Sequence, residues 1–345
     1  QVLLRDCSNR EIPSLAGPVA SLTIDNTIPS AITLLAAAQV RTGNGNDGTT
    51  RISVSWPAAA PGESVLLYRR GYGNYPEYDD APSAGAAPEA PAYPPGAAWV
   101  PLGTFLSGTT SLVEEPATRD FWYYVAFVRD ACGNVSPVSN RTPGTLNYHL
   151  GDVANGVTNC AGNNLVDLSD ISFLGAHYGA TLVDSDPLAC LDVGPTTDFS
   201  VNARPTTDNR LDFEDLVLFA INYSVGPAAP SSGKVVASGS DEVTLEAPAV
   251  VRAGDTVLAT VRLSGSGAVH ALSIKLGWNT DVLEPLGVES GGFLEAQHGV
   301  VLSPGADGVD AAILGAHASG VTGEGPLAVF KFRVRADGNP ALVVR

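Results

Sequence analysis

The chain has 345 residues, with 36 acids against 19 Lys and Arg, a formal charge of −17 and no methionine. That balance argues against a partner as anionic as nucleic acid or an acidic membrane surface. No apolar run reaches the roughly 18 residues needed to cross a bilayer. The length allows two or three domains. A Gln start without any Met reads as a processed piece whose signal peptide is gone. Four cysteines with no CxxC spacing read as two disulfides in an oxidising, extracellular or cell-surface setting. Cys160 and Cys190 flank a duplicated unit and form the preferred pair, leaving Cys7 with Cys132.

In chain order, residues 1–16 form an N-terminal arm. Residues 17–147 then read as short alternating strands separated by turns. Arg51-Ile52-Ser53-Val54-Ser55-Trp56 puts Ile52, Val54 and Trp56 on one face, and Phe121-Trp122-Tyr123-Tyr124-Val125-Ala126-Phe127-Val128 is a long strand ended by Asp130-Ala131-Cys132-Gly133-Asn134. The early Trp, the Tyr-rich late strand and the Asp-x-x-Gly-Asn-x-Ser turn together resemble a fibronectin type III domain, which implies an antiparallel β-sandwich. An insert at 81–98, in which 15 of 18 residues are Ala, Pro or Gly, reads as an extended surface loop. Before it, Tyr72, Tyr75 and Tyr78 are either a sugar-stacking row or rings packed on the sandwich flank. Asn134, Asn140 and Asn222 open glycosylation sequons, triplets that are common by chance.

Residues 148–225 hold a motif that occurs twice, 45 residues apart. Asn163-Asn164-Leu165-Val166-Asp167-Leu168-Ser169-Asp170 returns as Asp208-Asn209-Arg210-Leu211-Asp212-Phe213-Glu214-Asp215, each followed by an apolar stretch and preceded by an Asp-Val pair at Asp152 and Asp192. Oxygen donors at alternate positions, closed by an acid where a helix begins, suit a hard cation such as Ca²⁺. On a twelve-position loop, Asp152, Asn163, the Leu165 carbonyl, Asp167 and Asp170 would be the ligands of a first site. Asp192, Asp208, the Arg210 carbonyl, Asp212 and Asp215 would make a second. The arrangement resembles a dockerin, a tandem calcium-loop module in which Asp commonly closes the loop. It departs from that pattern at position 3, which is Ala154 and Gly194, and in the insertions that separate the first two side-chain ligands by 11 and 16 positions. Asn155 and Asp198 lie in those insertions. The same aspartates also read as N-caps of two helices.

Residues 226–233 are a linker by composition, and residues 234–345 are again all-β. Arg252-Ala253-Gly254-Asp255-Thr256-Val257, Leu272-Ser273-Ile274-Lys275-Leu276-Gly277-Trp278-Asn279-Thr280-Asp281-Val282-Leu283 and Gly323-Glu324-Gly325-Pro326-Leu327-Ala328-Val329-Phe330-Lys331-Phe332 resemble a cohesin, the sandwich that receives dockerins. A generic carbohydrate-binding or immunoglobulin-like sandwich shares the alternation. The expected fold class is therefore mainly β, with two antiparallel sandwiches flanking a small α-helical tandem EF-hand-like module. The cohesin resemblance implies one more closing strand, and Val2, Leu3, Leu4 and Arg5 match its form, so strand donation to a neighbouring subunit is expected.

These readings converge on a non-catalytic, extracellular assembly protein that binds two Ca²⁺ and associates head-to-tail with other copies of itself, into a filament or surface layer. The alternative is a scaffold or adhesion segment of a larger cell-surface protein, binding a separate cohesin- or dockerin-bearing partner or a polysaccharide. Neither involves nucleic acid or membrane insertion. Five histidines without metal spacing and no nucleophile elbow argue against an enzyme.

Overall fold

The computed structural model describes residues 25–79, 85–223, 239–315 and 319–345. The chain divides into two compact units. The first comprises the described residues up to Asn44, with Thr49–Tyr75 and Gly85–Tyr148, and the second comprises Gly45–Gly48, Pro76–Ala84 and His149–Arg345. The arm at 1–16, with Cys7, Val2, Leu3, Leu4 and Arg5, and the linker at 226–233 lie outside the described residues.

The first unit is a three-on-four antiparallel sandwich. One sheet has the order β1 (Ala36–Gln39), β2 (Ile52–Ser55), β5 (Ser111–Glu114). The other runs β4 (Val100–Leu106), β3 (Ser64–Gly71), β6 (Phe121–Arg129), β7 (Thr145–Leu146). Period-two patterning builds the core: Ile52, Val54 and Trp56 are buried together against Val65, Leu67, Trp122, Tyr124 and Ala126. Strand β6 is buried on both faces. Its outer face takes Tyr93 of the Ala/Pro-rich insert edge-on against Phe127 at 5.2 Å, and Arg141 over Tyr123.

Beyond its short pairing with β7, the β6 edge is satisfied by irregular chain. The amides of Tyr124, Ala126 and Val128 donate to the hydroxyls of Thr142, Ser139 and Ser136. Two sequon hydroxyls, Ser136 and Thr142, are thus spent on the edge, and the Asn140 side chain brackets the Leu35 peptide, accepting from its N–H and donating to its carbonyl. These residues read better as structure than as glycan acceptors.

The second unit contains the duplicated segment and an eight-stranded sandwich. Helices α1 (Leu168–His177) and α2 (Phe213–Asn222) each follow one copy of the motif. The sandwich has one sheet in the order β12 (Gly299–Gly305), β13 (Gly308–Ile313), β10 (Ala271–Gly277), β15 (Val343–Val344). The other is β11 (Leu283–Ser290), β14 (Thr322–Val334), β9 (Thr256–Ser266), β8 (Glu242–Glu246). Inward positions of β9, β10, β13 and β14 make a core of aliphatic side chains with Phe330 and Phe332 at its centre.

Strand β13 breaks the one-face-in pattern, since all six of its residues are buried. Val309, Ala311 and Ile313 face the core. Gly308, Asp310 and Ala312 face the other way, and the loop–helix segment lies over them.

Candidate metal loops and docking face

The two copies of the motif fold alike, hydrogen bond for hydrogen bond. In the first, Asp152 accepts from the amides of Asn163 (2.8 Å) and Asn164 (3.0 Å). One oxygen of Asp170 accepts from Val153 and Ala154, both at 2.7 Å, and the other from Asp167. Asn163 accepts from Leu165, and Asp167 caps α1 through Ser169. In the second, Asp192 accepts from Asp208 and Asn209. Asp215 accepts from Val193, Gly194 and Asp212. Asp208 accepts from Arg210, and Asp212 caps α2 through Glu214. The insertions leave the register intact because Asp152 and Asp192 reach across them.

The copies also clasp one another. Val166 of the first loop bridges Tyr223 after α2, and Thr181 after α1 bridges Arg210 of the second loop. A disulfide joins Cys160 to Cys190 across the first copy. Cys132 is also disulfide-bonded.

Asp152, Asp170, Asp192 and Asp215 are all buried. Burial pushes the Asp170 carboxyl up to about 6, with the neighbouring Asp152 charge adding to the effect. Burial and the Asp192 charge also raise the Asp215 carboxyl well above the usual carboxylate range. Each loop thus sets two acids close together in a low-dielectric site, a strained arrangement that a bound cation would relieve. The donors are all oxygen, which fits a hard divalent ion. Among the described residues no three His, Cys, Asp or Glu side chains form a metal-binding group. An ion would therefore also need the Asn163 or Asp208 side chain, the Leu165 or Arg210 carbonyl, and water.

The segment holding these loops sits on the outer face of β13. The Tyr178 hydroxyl, just past α1, donates to Asp310 at 2.8 Å, and the Gly315 amide donates to the Ala220 carbonyl of α2 at 2.7 Å. Burial and the Asp310 charge raise the Tyr178 phenol, so it stays protonated and donates. Asp310, pushed up by burial, is held down partly by Ser273 and Tyr178.

Close backbone approach explains one of two glycines at this face. A Cβ on Gly179, whose φ is +81°, would lie 2.2 Å from the Pro304 carbonyl oxygen, and one on Gly175 would lie 3.3 Å from Leu302 Cδ2. Beside this contact is a cleft of about 490 Å³ whose lining includes Arg210, Asp212, Lys275, Asp307 and Asp310.

The tyrosine row does not form a sugar platform. Tyr78 is fully buried, and Tyr75 packs edge-on against Tyr148 with Arg119 over the Tyr148 ring. Rings placed three residues apart in an irregular stretch have no common face to present. Asp79 is ion-paired with Arg204. His177 lies edge-on against Phe173 in its own helix.

No family model matches the chain, and no curated protein matches it. Solved structures similar to parts of it are cohesin modules. A third cohesin ScaC from Acetivibrio cellulolyticus, in complex with a ScaB dockerin, is 16% identical over 24% of this chain and 63% of its own, with a TM-score of 0.20. A non-cellulosomal cohesin from Archaeoglobus fulgidus is 23% identical over 30% of this chain and 74% of its own, with a TM-score of 0.23. A type II cohesin dyad from Acetivibrio cellulolyticus is 11% identical over 91% of this chain and 87% of its own, with a TM-score of 0.22. The match thus spans less than two thirds of the first of these chains. Likeness this low carries no functional weight, which falls instead on the geometry of the chain itself.

Proposed function

We propose that this chain is a non-catalytic, extracellular scaffold or adhesion segment whose second unit is a calcium-stapled docking pair. The observation that carries this is the covered outer face of β13, where Asp310 is 2% exposed and bonded to Tyr178. A carboxylate buried on the outer face of a sheet needs a hydrogen-bonding partner laid over it. The partner it receives here is the duplicated loop–helix segment of the same chain.

The three-on-four strand order of the first unit supports its resemblance to fibronectin type III, a spacer in this reading. The matched hydrogen bonding of the two loops supports the dockerin-like reading of the middle segment. Calcium would supply charge compensation for Asp152 with Asp170 and for Asp192 with Asp215. The chain's own contribution is to hold those carboxylates with backbone amides and to cap both helices. The disulfides fit an oxidising, cell-surface location.

A second reading follows from finding both halves of the docking pair on one chain. The same surfaces could meet between copies, giving head-to-tail growth. Calcium titration by calorimetry decides the metal: two sites are expected, each abolished by Asp170→Asn or Asp215→Asn, and no binding heat would sink the calcium reading. Electron microscopy with and without chelator addresses assembly. Filaments that vanish on chelation favour growth through the docking pair, and monomers throughout favour the scaffold segment.

A further inference from the structure

One edge of the C-terminal sandwich is unfinished. Strand β8 pairs with β9 in the register Val243↔Leu263 and Leu245↔Val261. Paired residues share a face of the sheet, and Leu263 and Val261 are core residues at 1% and 0% exposure. Val243 and Leu245 therefore also point toward the core, yet Val243 is 38% exposed and Leu245 only half-buried.

The facing sheet shows the same defect at the same edge. There β15 pairs with β10 as Val344↔Leu276, and Leu276 is in the core at 3% exposure. Val344, and Leu272 two steps before Ile274, share that inward direction but remain half-buried. Strands β8 and β15 lie against one another, so Val243, Leu245 and Val344 line one apolar seam, with Leu272 four residues along β10 from the Val344 pairing. Strand β8 is hydrogen-bonded on one side only, and an open edge with core-facing side chains is a template for another strand.

We infer that this seam takes an added β-strand, and that the strand is residues 2–5 of a second copy of the chain. Val2 and Leu4 would face inward over Val243, Leu245, Leu272 and Val344, since alternate residues share a face. Arg5 is the charge next to the apolar residues, at an edge that carries Asp241, Glu242 and Glu246, while Asp6 and Glu11 balance Arg5 and Arg10 over the arm as a whole. The acids of the edge would disfavour an acidic strand and favour a basic residue such as Arg5 beside the apolar pair. The seam side chains stay part-exposed among the described residues, and the inference assigns the donor to a second copy. The inference goes beyond the docking pair, because β8 belongs to the sheet opposite β13.

The test compares the full chain with a variant lacking residues 1–6, which retains Cys7. Light scattering after size exclusion should show multimers for the full chain and a monomer for the shortened one. The fluorescein-labelled peptide Gln-Val-Leu-Leu-Arg-Asp should bind the shortened chain by anisotropy. A peptide with Lys in place of Val2 and Leu4 should bind at least tenfold more weakly. Leu245→Lys in the shortened chain should abolish binding while leaving its circular dichroism unchanged, because that position is already part-exposed. Multimers that survive the deletion, or a shortened chain that ignores the peptide, would overturn the inference. So would a full chain that stays monomeric at all concentrations yet loses thermal stability on deletion, since the strand would then come from its own chain.

Discussion

Tyr178 and Asp310, 132 positions apart, share a hydrogen bond of 2.8 Å that ties the loop–helix segment to the face of β13. The bond is asymmetric in its consequences. Losing the phenol leaves a buried carboxyl with one donor fewer, whereas the Phe ring would keep the packing. Tyr178→Phe is expected to cost about 1–3 kcal/mol, read as a lower urea midpoint for the second unit. An unchanged midpoint would mean that the contact is incidental.

The two glycines at this face predict opposite outcomes. Gly179→Ala would place a methyl group 2.2 Å from a carbonyl oxygen at a φ of +81°. That combines a left-handed penalty of about 1–2 kcal/mol with overpacking of about 1–3 kcal/mol. Gly175→Ala meets only a leucine methyl at 3.3 Å, and Ala is favoured over Gly within a helix by about 1 kcal/mol. Thermal melts should therefore show a clear loss for the first and little change or a gain for the second.

Calcium should act as a folding ligand for residues 149–223. At a free concentration about 100-fold above Kd, each site adds about 2.7 kcal/mol. Chelation should lower the melting temperature of the second unit and reduce helical circular dichroism, with the first unit unaffected. Equal melts with and without chelator would refute the two loops as calcium sites.

A separate pH signature is expected from Asp120 in the first unit. Burial raises its carboxyl, opposed by the amides of Phe121, Gly73 and Tyr72. A folded-state pKa above the unfolded value of about 3.9 means that the folded form holds the proton more tightly. This group's contribution therefore falls as pH rises through that window and recovers as pH drops. The stability of the wild type relative to Asp120→Asn should improve on acidification from about pH 7 toward about pH 4. A difference that moved the other way would show that the amide donors outweigh burial.

Local pattern made much of this architecture legible in advance. The alternation at Ile52, Val54 and Trp56 states which face is buried, because strand periodicity needs no tertiary information. The repeated aspartates state where both helices start, since an N-cap is a contact within three residues. The partnership of distant surfaces was not legible. Nothing local in Gly308-Val309-Asp310-Ala311-Ala312-Ile313 reveals that Tyr178 lies over its aspartate. For the tyrosines at 72, 75 and 78 the sequence leaves open a stacking row or rings packed on the sandwich flank, because a loop imposes no common face. Ser136 and Thr142 read as parts of sequons, but with Ser139 their hydroxyls take the place of a missing strand along β6.

The double burial of β13 has a consequence in time as well as in space. Water cannot reach this strand from the sandwich side or from the helix side without a larger opening of the unit. Its amide protons should be among the last in the second unit to exchange with deuterium, and they should do so together. They would then keep a record of every whole-unit opening, one that smaller fluctuations at the exposed β8 edge leave unmarked.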